Sequence, residues 1–290
     1  MKILHLDAGK QMGGGQHQVL RLIEGLLAEN HDCTLLARAG YPLFEAAHKQ
    51  GWRVEPLGLT RFASCARNHD LIHAHDARTH TLALLNRKTP LIVARRVAFP
   101  ISSKFKYARP NHYIAVSNFV KNVLTEAGIP ETKISVVYDG VPSACIGVHR
   151  RPIILTHPEK SGALAQEAAR LANLELNVST DLETDLPTAT IFLYVSQSEG
   201  LGSGVLLAMS AGCAVVASKV GGIPEIVHHR HNGMLVENTP EAIAEALQEL
   251  HENPALVHQL SQAAQATMAK RFTTAEMVRS TMEVYRRVLA

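Results

Sequence analysis

The sequence predicts an α/β protein of two domains, each built on a parallel sheet with helices on both faces. Three observations carry this. The chain has 290 residues, where one domain typically takes ~100–200. Short apolar runs of strand length alternate with longer segments of helical periodicity along nearly all of it. The charge divides as well: residues 1–150 hold 19 Lys and Arg against 11 Asp and Glu, net +8, and the remainder holds 10 against 15, net −5.

In chain order, residues 2–7 (KILHLD) form a first strand, followed by the turn Gly13-Gly14-Gly15. Val19, Leu20, Leu22, Ile23, Leu26 and Leu27 then recur at helical spacing. Strands are predicted over 33–37, 52–57, 70–75, 91–95, 113–117 and 134–141, and helices over 42–50, 77–86 and 118–127, the last stopped by Gly128 and Pro130. A boundary falls near 142–151. Beyond it, PIILT, LELNV, IFLYV and CAVVAS read as strands, and 161–172, 204–211, 240–252, 255–270 and 274–288 as helices. The domains are expected at 1–145 and 146–273, with 274–290 a helix packing back on the first.

Apolar residues are 46% and charged residues 19% of the chain, an ordinary globular balance. No apolar run approaches the ~20 residues of a membrane span, and MKILHLDAGK reads as a buried strand rather than a signal peptide. Cys33, Cys65, Cys145 and Cys213 lack metal-site or disulfide spacing and are expected as buried thiols of a reducing compartment. The basic first half favours an anionic partner.

The chemistry concentrates between Ser196 and Val236. A strand ending at Val195 opens into a loop carrying Glu199, Gly200, Gly202 and Gly204, where a helix begins. Glycines admit a ligand close to the backbone, and a helix start offers amide N–H groups to phosphate. Glu199, beyond the carboxyl end of a strand, stands where a hydroxyl-binding carboxylate belongs. A second loop, Gly221-Gly222-Ile223-Pro224-Glu225, follows the next strand. Tight turns alone would also account for these glycines.

Glu199-Gly200-Leu201-Gly202, Ala208-Met209, Ala211-Gly212, Val215 through Ser218, Gly221 through Val227 and Asn232-Gly233 resemble, in register, the donor-binding signature of retaining glycosyltransferases of family 4. In the first half, Gly13-Gly14 with Gln16, His73-Ala74-His75, Ala115-Val116-Ser117 and Val136 through Val141 resemble family positions too. The resemblance implies the GT-B fold, two Rossmann-like domains facing across a cleft, with the second domain trimmed. It departs from the family in two places. The second family carboxylate falls on Leu207, and of the two cations that neutralise the diphosphate, Lys160 supplies one while the Arg position reads Leu155.

The resemblance implies transfer of a sugar from a nucleoside-diphosphate sugar, UDP-sugar first, with retention of configuration and without a cofactor or metal. Glu199 and His75 are the expected catalytic residues. Gly13, Gly14, Lys160, Gly200, Leu201, Gly202, Ser203, Gly204, Leu207 and Arg95 are expected to bind substrate. His73 reads as structural, and His228, His229 and His231 as an exposed loop. Residues 95–109, where Arg95, Arg96, Lys104, Lys106 and Arg109 interleave with Phe99, Ile101, Phe105 and Tyr107, suit a lipid-linked or lipopolysaccharide-type acceptor at the cytoplasmic membrane face. No nucleic-acid motif accompanies them. A non-catalytic relative and a GT-B sugar-nucleotide epimerase are the competing readings. A dinucleotide dehydrogenase is disfavoured, because the first glycine turn does not spell the dinucleotide fingerprint.

Overall fold

The computed structural model describes residues 1–101, 104–142, 154–160 and 162–290. The chain separates into two compact units, Met1–Gly140 with Thr274–Ala290, and Val141–Thr273. The sequence-expected boundary at 142–151 lies mostly outside the described residues, as does Cys145; Cys33, Cys65 and Cys213 are buried free thiols.

The first unit runs β1 (Lys2–Leu6), α1 (Gly14–Ala28), β2 (Asp32–Ala37), α2 (Pro42–Lys49), β3 (Val54–Pro56), α3 (Leu59–Ala66), β4 (Leu71–Ala74), α4 (Ala77–Ala83), β5 (Leu91–Arg95), α5 (Lys104–Ala108), β6 (His112–Ala115), α6 (Asn118–Glu126) and β7 (Ile134–Val136). The second runs β8 (Ile154–Thr156), α7 (Ala163–Ala172), β9 (Leu176–Val178), α8 (Leu182–Asp185), β10 (Ile191–Tyr194), α9 (Ser203–Ser210), β11 (Ala214–Ser218), β12 (Met234–Val236), α10 (Pro240–Glu252) and α11 (Pro254–Arg271). The final helix, α12 (Thr274–Leu289), belongs to the first unit.

The first sheet has the order β3-β2-β1-β4-β5-β6-β7 and the second β12-β11-β10-β8-β9, with every pairing parallel. Parallel strands need crossover helices and are covered on both faces, which is why β5 and β11 are buried at every position. In each sheet the order reverses at one place, between β1 and β4 and between β8 and β10. Open α/β sheets bind ligands outside the carboxyl ends of the strands at such reversals.

Local chemistry sets the helix ends. Asp76 caps α4 by accepting from the amides of Arg78 and Thr79 at 2.7 and 3.1 Å, and Ser117 caps α6 through the amide of Val120 at 3.1 Å. Helix α1 turns Val19, Leu22, Ile23 and Leu26 inward, and they share one core with Met277, Val278, Met282 and Tyr285 of α12. Several short elements were not legible in the sequence, α3 and β12 among them. Helix α3 buries only Phe62, Cys65 and Ala66, and β12 is three residues long, so neither spans enough chain to declare a period.

Candidate active site

In the second unit the reversal point holds two side chains 39 residues apart. Lys160 leaves the carboxyl end of β8 and Glu199 the loop after β10. Lys160 Nζ donates to Glu199 Oε1 at 2.5 Å and lies 3.0 Å from Ser196 Oγ. Tyr194 Oη and Ser196 Oγ also donate to Glu199 Oε1, each at 3.0 Å. Tyr194 and Ser196 reach the same carboxylate because strand alternation places them on one face. The ammonium sits 5.0 Å above the Tyr194 ring. Burial, then the Glu199 charge, pushes the Tyr194 phenol well above its usual range, so it stays a donor. All these bonds go to Oε1; Oε2 takes none among the described residues. Glu199 is therefore a held carboxylate with one oxygen available.

The glycines have specific work here. Gly202 precedes α9 with φ +100° and contributes no side-chain cap; the Val205 amide donates to the Gly202 carbonyl at 3.0 Å, which leaves the Ser203 and Gly204 amides to a ligand. A Cβ on Gly221 would fall 1.9 Å from the Glu199 carbonyl oxygen, and the Gly222 amide donates to that carbonyl at 3.2 Å. The two glycine loops expected from the sequence are thus in direct contact. Behind them, Ser218 Oγ accepts from the Ser196 amide at 2.9 Å and donates to Asn238 Oδ1 at 2.5 Å, while Asn238 Nδ2 donates to the Ser196 carbonyl at 2.9 Å. This clamp and Tyr194 were missed in the sequence, although Tyr194 stands two residues before Ser196, the strand spacing that could have found it.

The other expected residues of this unit divide. Gly200, Ser203 and Gly204 lie in the same loop and helix start. Leu201 is 2% exposed, so its side chain belongs to the core. Leu207 is half-buried on α9. Leu155 is enclosed in β8. His228, His229 and His231 are exposed.

In the first unit, Gly13 precedes α1, and its amide donates to Gln16 Oε1 at 3.3 Å; Gln16 Nε2 in turn donates to the Asp7 carboxylate at 3.2 and 3.3 Å. The Gly9 amide holds Asp7 Oδ1 at 2.7 Å, and the Ala8 amide holds Asp76 Oδ2 at 2.6 Å. Burial raises the Asp7 carboxyl above its ordinary value, opposed by the Gly9 bond. Arg96 pairs with Asp139 nearby. Gly14 opens α1.

His75 follows β4, 6% exposed, with Nε2 3.0 Å from His5 Nδ1. His73 Nδ1 lies 2.6 Å from Tyr285 Oη. Burial, reinforced by neighbouring histidines and Arg96, holds His73 and His75 well below their ordinary value, so both are neutral imidazoles. The sequence did not single out His5.

Arg95, expected to bind substrate, lies at the end of β5 with its side chain buried. It is 8% exposed, donates to Tyr107 Oη at 2.9 Å and to the Phe99 carbonyl at 2.5 Å, and so ties both residues to the end of β5. Tyr107 is buried with it. Phe105 and Phe99 remain outside at 90% and 65% exposure, beside exposed Arg109. Lys106 Nζ donates to the Ala77 carbonyl at 2.6 Å, and the Lys104 side chain lies outside the described residues.

Both halves of the chain resemble known proteins. The model described as "Glycosyltransferase Family 4" matches residues 12–144, and "Glycosyl transferases group 1" matches residues 166–267. Alpha-maltose-1-phosphate synthase of Mycolicibacterium smegmatis is 38% identical over 112 residues, covering 36% of this chain and 29% of that protein. D-inositol 3-phosphate glycosyltransferase of Streptomyces coelicolor is 35% identical over 107 residues, covering 34% of this chain and 23% of that protein. The matched segments thus span less than a third of these curated relatives. Among solved structures, a glycosyltransferase from Rickettsia africae superposes with TM-score 0.84 at 18% identity, covering 99% and 98% of the two chains. Anabaena HepE in complex with UDP-glucose superposes with TM-score 0.84 at 18% identity, covering 99% and 100%.

Proposed function

We propose that this chain, which belongs to the group 1 glycosyltransferases of family 4 and carries their GT-B fold, transfers a sugar from a nucleoside-diphosphate donor, a UDP-sugar first, to a lipid-linked or lipopolysaccharide-type acceptor with retention of configuration. One observation carries the reading: Lys160, Tyr194 and Ser196 converge on a single oxygen of Glu199 at the switch point of the second sheet and leave the other oxygen available. The chemistry requires a fixed acceptor for sugar hydroxyls and a positive environment for a departing diphosphate. Glu199 Oε2 suits the first. The Lys160 ammonium and the uncapped start of α9 suit the second.

The acceptor part rests on Phe99, Phe105 and Arg109, an apolar and basic surface suited to a lipid headgroup region. No helix among the described residues is long and apolar enough to cross a membrane; in this reading the protein meets the cytoplasmic membrane face as a peripheral partner.

The reading is tested by thermal shift with UDP-, GDP-, ADP- and CMP-sugars on the wild type and on Glu199→Ala. A ligand at ~100 times its Kd stabilises by ~2.7 kcal/mol. One responding nucleotide sugar, with a reduced response in the variant, supports the reading and selects the donor for turnover. No response to any of the four favours the non-catalytic alternative, which Leu207 at the second carboxylate position supports.

A further inference from the structure

The amino ends of the first sheet carry two cavities that the sugar-transfer reading does not use. One has a volume of about 440 Å³ and the other about 330 Å³, both within the ~300–1,000 Å³ of small-ligand sites. Asn86 and Arg87, in the turn between α4 and β5, line both. Leu91, which opens β5, and Asn111, which precedes β6, line the first. The carboxyl ends, where the switch point lies, are a strand length away: β5 has five residues, roughly 13 Å at ~3.3 Å each.

The two cavities differ in lining. The first is polar, with Arg87 and Arg109 joined by Asn86, Asn111 and Thr89. The second is apolar along α3, with Leu59, Phe62, Ala63 and Leu85, and adds Arg67 and Lys88. Four cations line the pair, and no carboxylate does. The acids that flank α3 are engaged: Asp70 Oδ2 accepts from the Lys2 amide at 2.8 Å, and Glu55 pairs with Arg61 at 2.6 Å. Cations behind helix ends often cap them, but other groups do so here. The carbonyl of Ser64 accepts from Asn68 Nδ2 at 3.1 Å, that of Cys65 from His69 Nδ1 at 2.6 Å and that of Ala66 from Thr89 Oγ1 at 2.6 Å. At the end of α4, the carbonyls of Leu82 and Ala83 accept from the amides of Leu85 and Asn86, each at 3.1 Å. The side chains of Arg67, Arg87, Lys88 and Arg109 are exposed and make no hydrogen bond or ion pair among the described residues. Leu59 and Leu85 are 59% and 66% exposed.

Like charges gathered without a counter-charge repel, and an anion relieves them. The arginine fork matches phosphate oxygens in pairs. Asn111 Oδ1 accepts from the Leu91 amide at 2.9 Å, which leaves its Nδ2 as a further donor. A bare anion would leave the apolar wall of the second cavity in water. We infer that the two cavities together bind a phosphate ester with an apolar body, the phosphate in the cavity of Arg87 and Arg109 and the body against Leu59, Ala63 and Leu85. The base of a nucleotide and the chain of an alkyl phosphate both supply such a body.

The test is titration calorimetry of the full chain with inorganic phosphate, 1-hexanol, hexyl phosphate and AMP. The expected result is one site per chain for hexyl phosphate or AMP, at least ~10-fold tighter than for inorganic phosphate or hexanol, and the ester that binds tells alkyl chain from base. Arg87→Gln weakens that binding at least ~10-fold through the lost charged hydrogen bonds. Leu85→Ser weakens it ~10-fold and leaves inorganic phosphate as it was. Lys49→Gln, which removes an exposed cation of α2, binds as the wild type does. Arg109 also belongs to the 95–109 surface, so the variants leave it in place. The proposal is overturned if neither ester binds more tightly than inorganic phosphate, if binding survives Arg87→Gln, or if Lys49→Gln weakens it as much. Should far-UV CD show a variant unfolded, amide NMR of the wild type decides: the binding ester must shift residues 85–91 and Asn111, and shifts confined to other residues sink the proposal. Donor turnover does not enter the measurement, so its failure leaves the sugar-transfer reading untouched.

Discussion

Replacing Gly221 by Ala should uncouple the two glycine loops of the second unit. Gly221 has φ +56°, and its added Cβ would lie 1.9 Å from the Glu199 carbonyl oxygen, where real Cβ contacts begin near 3.0 Å. The carbonyl must therefore retreat by about 1 Å. Left-handed backbone costs a non-glycine residue ~1–2 kcal/mol, and overpacking a filled site costs ~1–3 kcal/mol, giving ~2–5 kcal/mol together. The retreat also weakens the Gly222 amide bond at 3.2 Å and moves the carboxylate that Lys160 and Tyr194 hold. A misplacement of ~1 Å can cost 10²-fold in rate. Urea unfolding should record the stability loss, and turnover of the responding donor should fall ~10²-fold. A Gly221→Ala protein with wild-type midpoint and wild-type turnover would refute the contact between the loops as the device that positions Glu199.

Other perturbations test separate parts of the molecule. Glu199→Gln keeps hydroxyl partners at Oε1 but loses the carboxylate; donor turnover should drop at least ~10²-fold with little change in folding, and unchanged turnover removes Glu199 from the mechanism. In Lys160→Met, calorimetry should show nucleotide-sugar affinity falling ~10-fold or more, because the ammonium for the diphosphate is gone; equal affinity argues that Lys160 only braces Glu199. A Cβ on Gly25 of α1 would meet Val278 Cγ2 of α12 at 2.4 Å, so Gly25→Ala should cost ~1–3 kcal/mol and Val278→Ala should recover most of it in the double variant. Additive losses would contradict that packing. Burial lowers His80 and His112 to about 4. A lowered histidine is protonated in the unfolded chain first, so stability is complete above ~6.5 and falls as pH drops toward 4. At pH 5 this amounts to ~2 kcal/mol for each group. His112→Gln should shallow the loss of the first unit's stability between pH 6.5 and 4, and an unchanged pH profile would exclude His112 as a source.

Much of the fold was legible because it depends on short-range periodicity. The apolar runs of β1, β5 and β11 and the spaced leucines of α1 declare themselves within a dozen residues. Glu199, Gly202 and Gly221 stood out for a similar reason: a loop that must turn at positive φ and let another backbone approach requires glycine at a definite place. The composition around Arg95 fits an exposed basic surface, while its position at the end of β5 directs the side chain inward to Tyr107, a placement no local pattern declares. Element α3 was missed because its eight residues bury only three side chains.

The sequence by itself determined the two α/β halves, the loops that carry glycine and carboxylate, and the resemblance written across them, since each is a property of contiguous residues. Which side chains meet was decided by the crossovers. Strands β8 and β10 are neighbours although β9 intervenes in sequence, and that places Lys160 on Glu199. Strands β1 and β4 are neighbours although β2 and β3 intervene, and that gathers His5, His73 and His75 with three unanswered nitrogens. The spacings of 39 and 70 residues across these contacts carry no local signal. Sheet order, set by the packing of helices on both faces, supplies them.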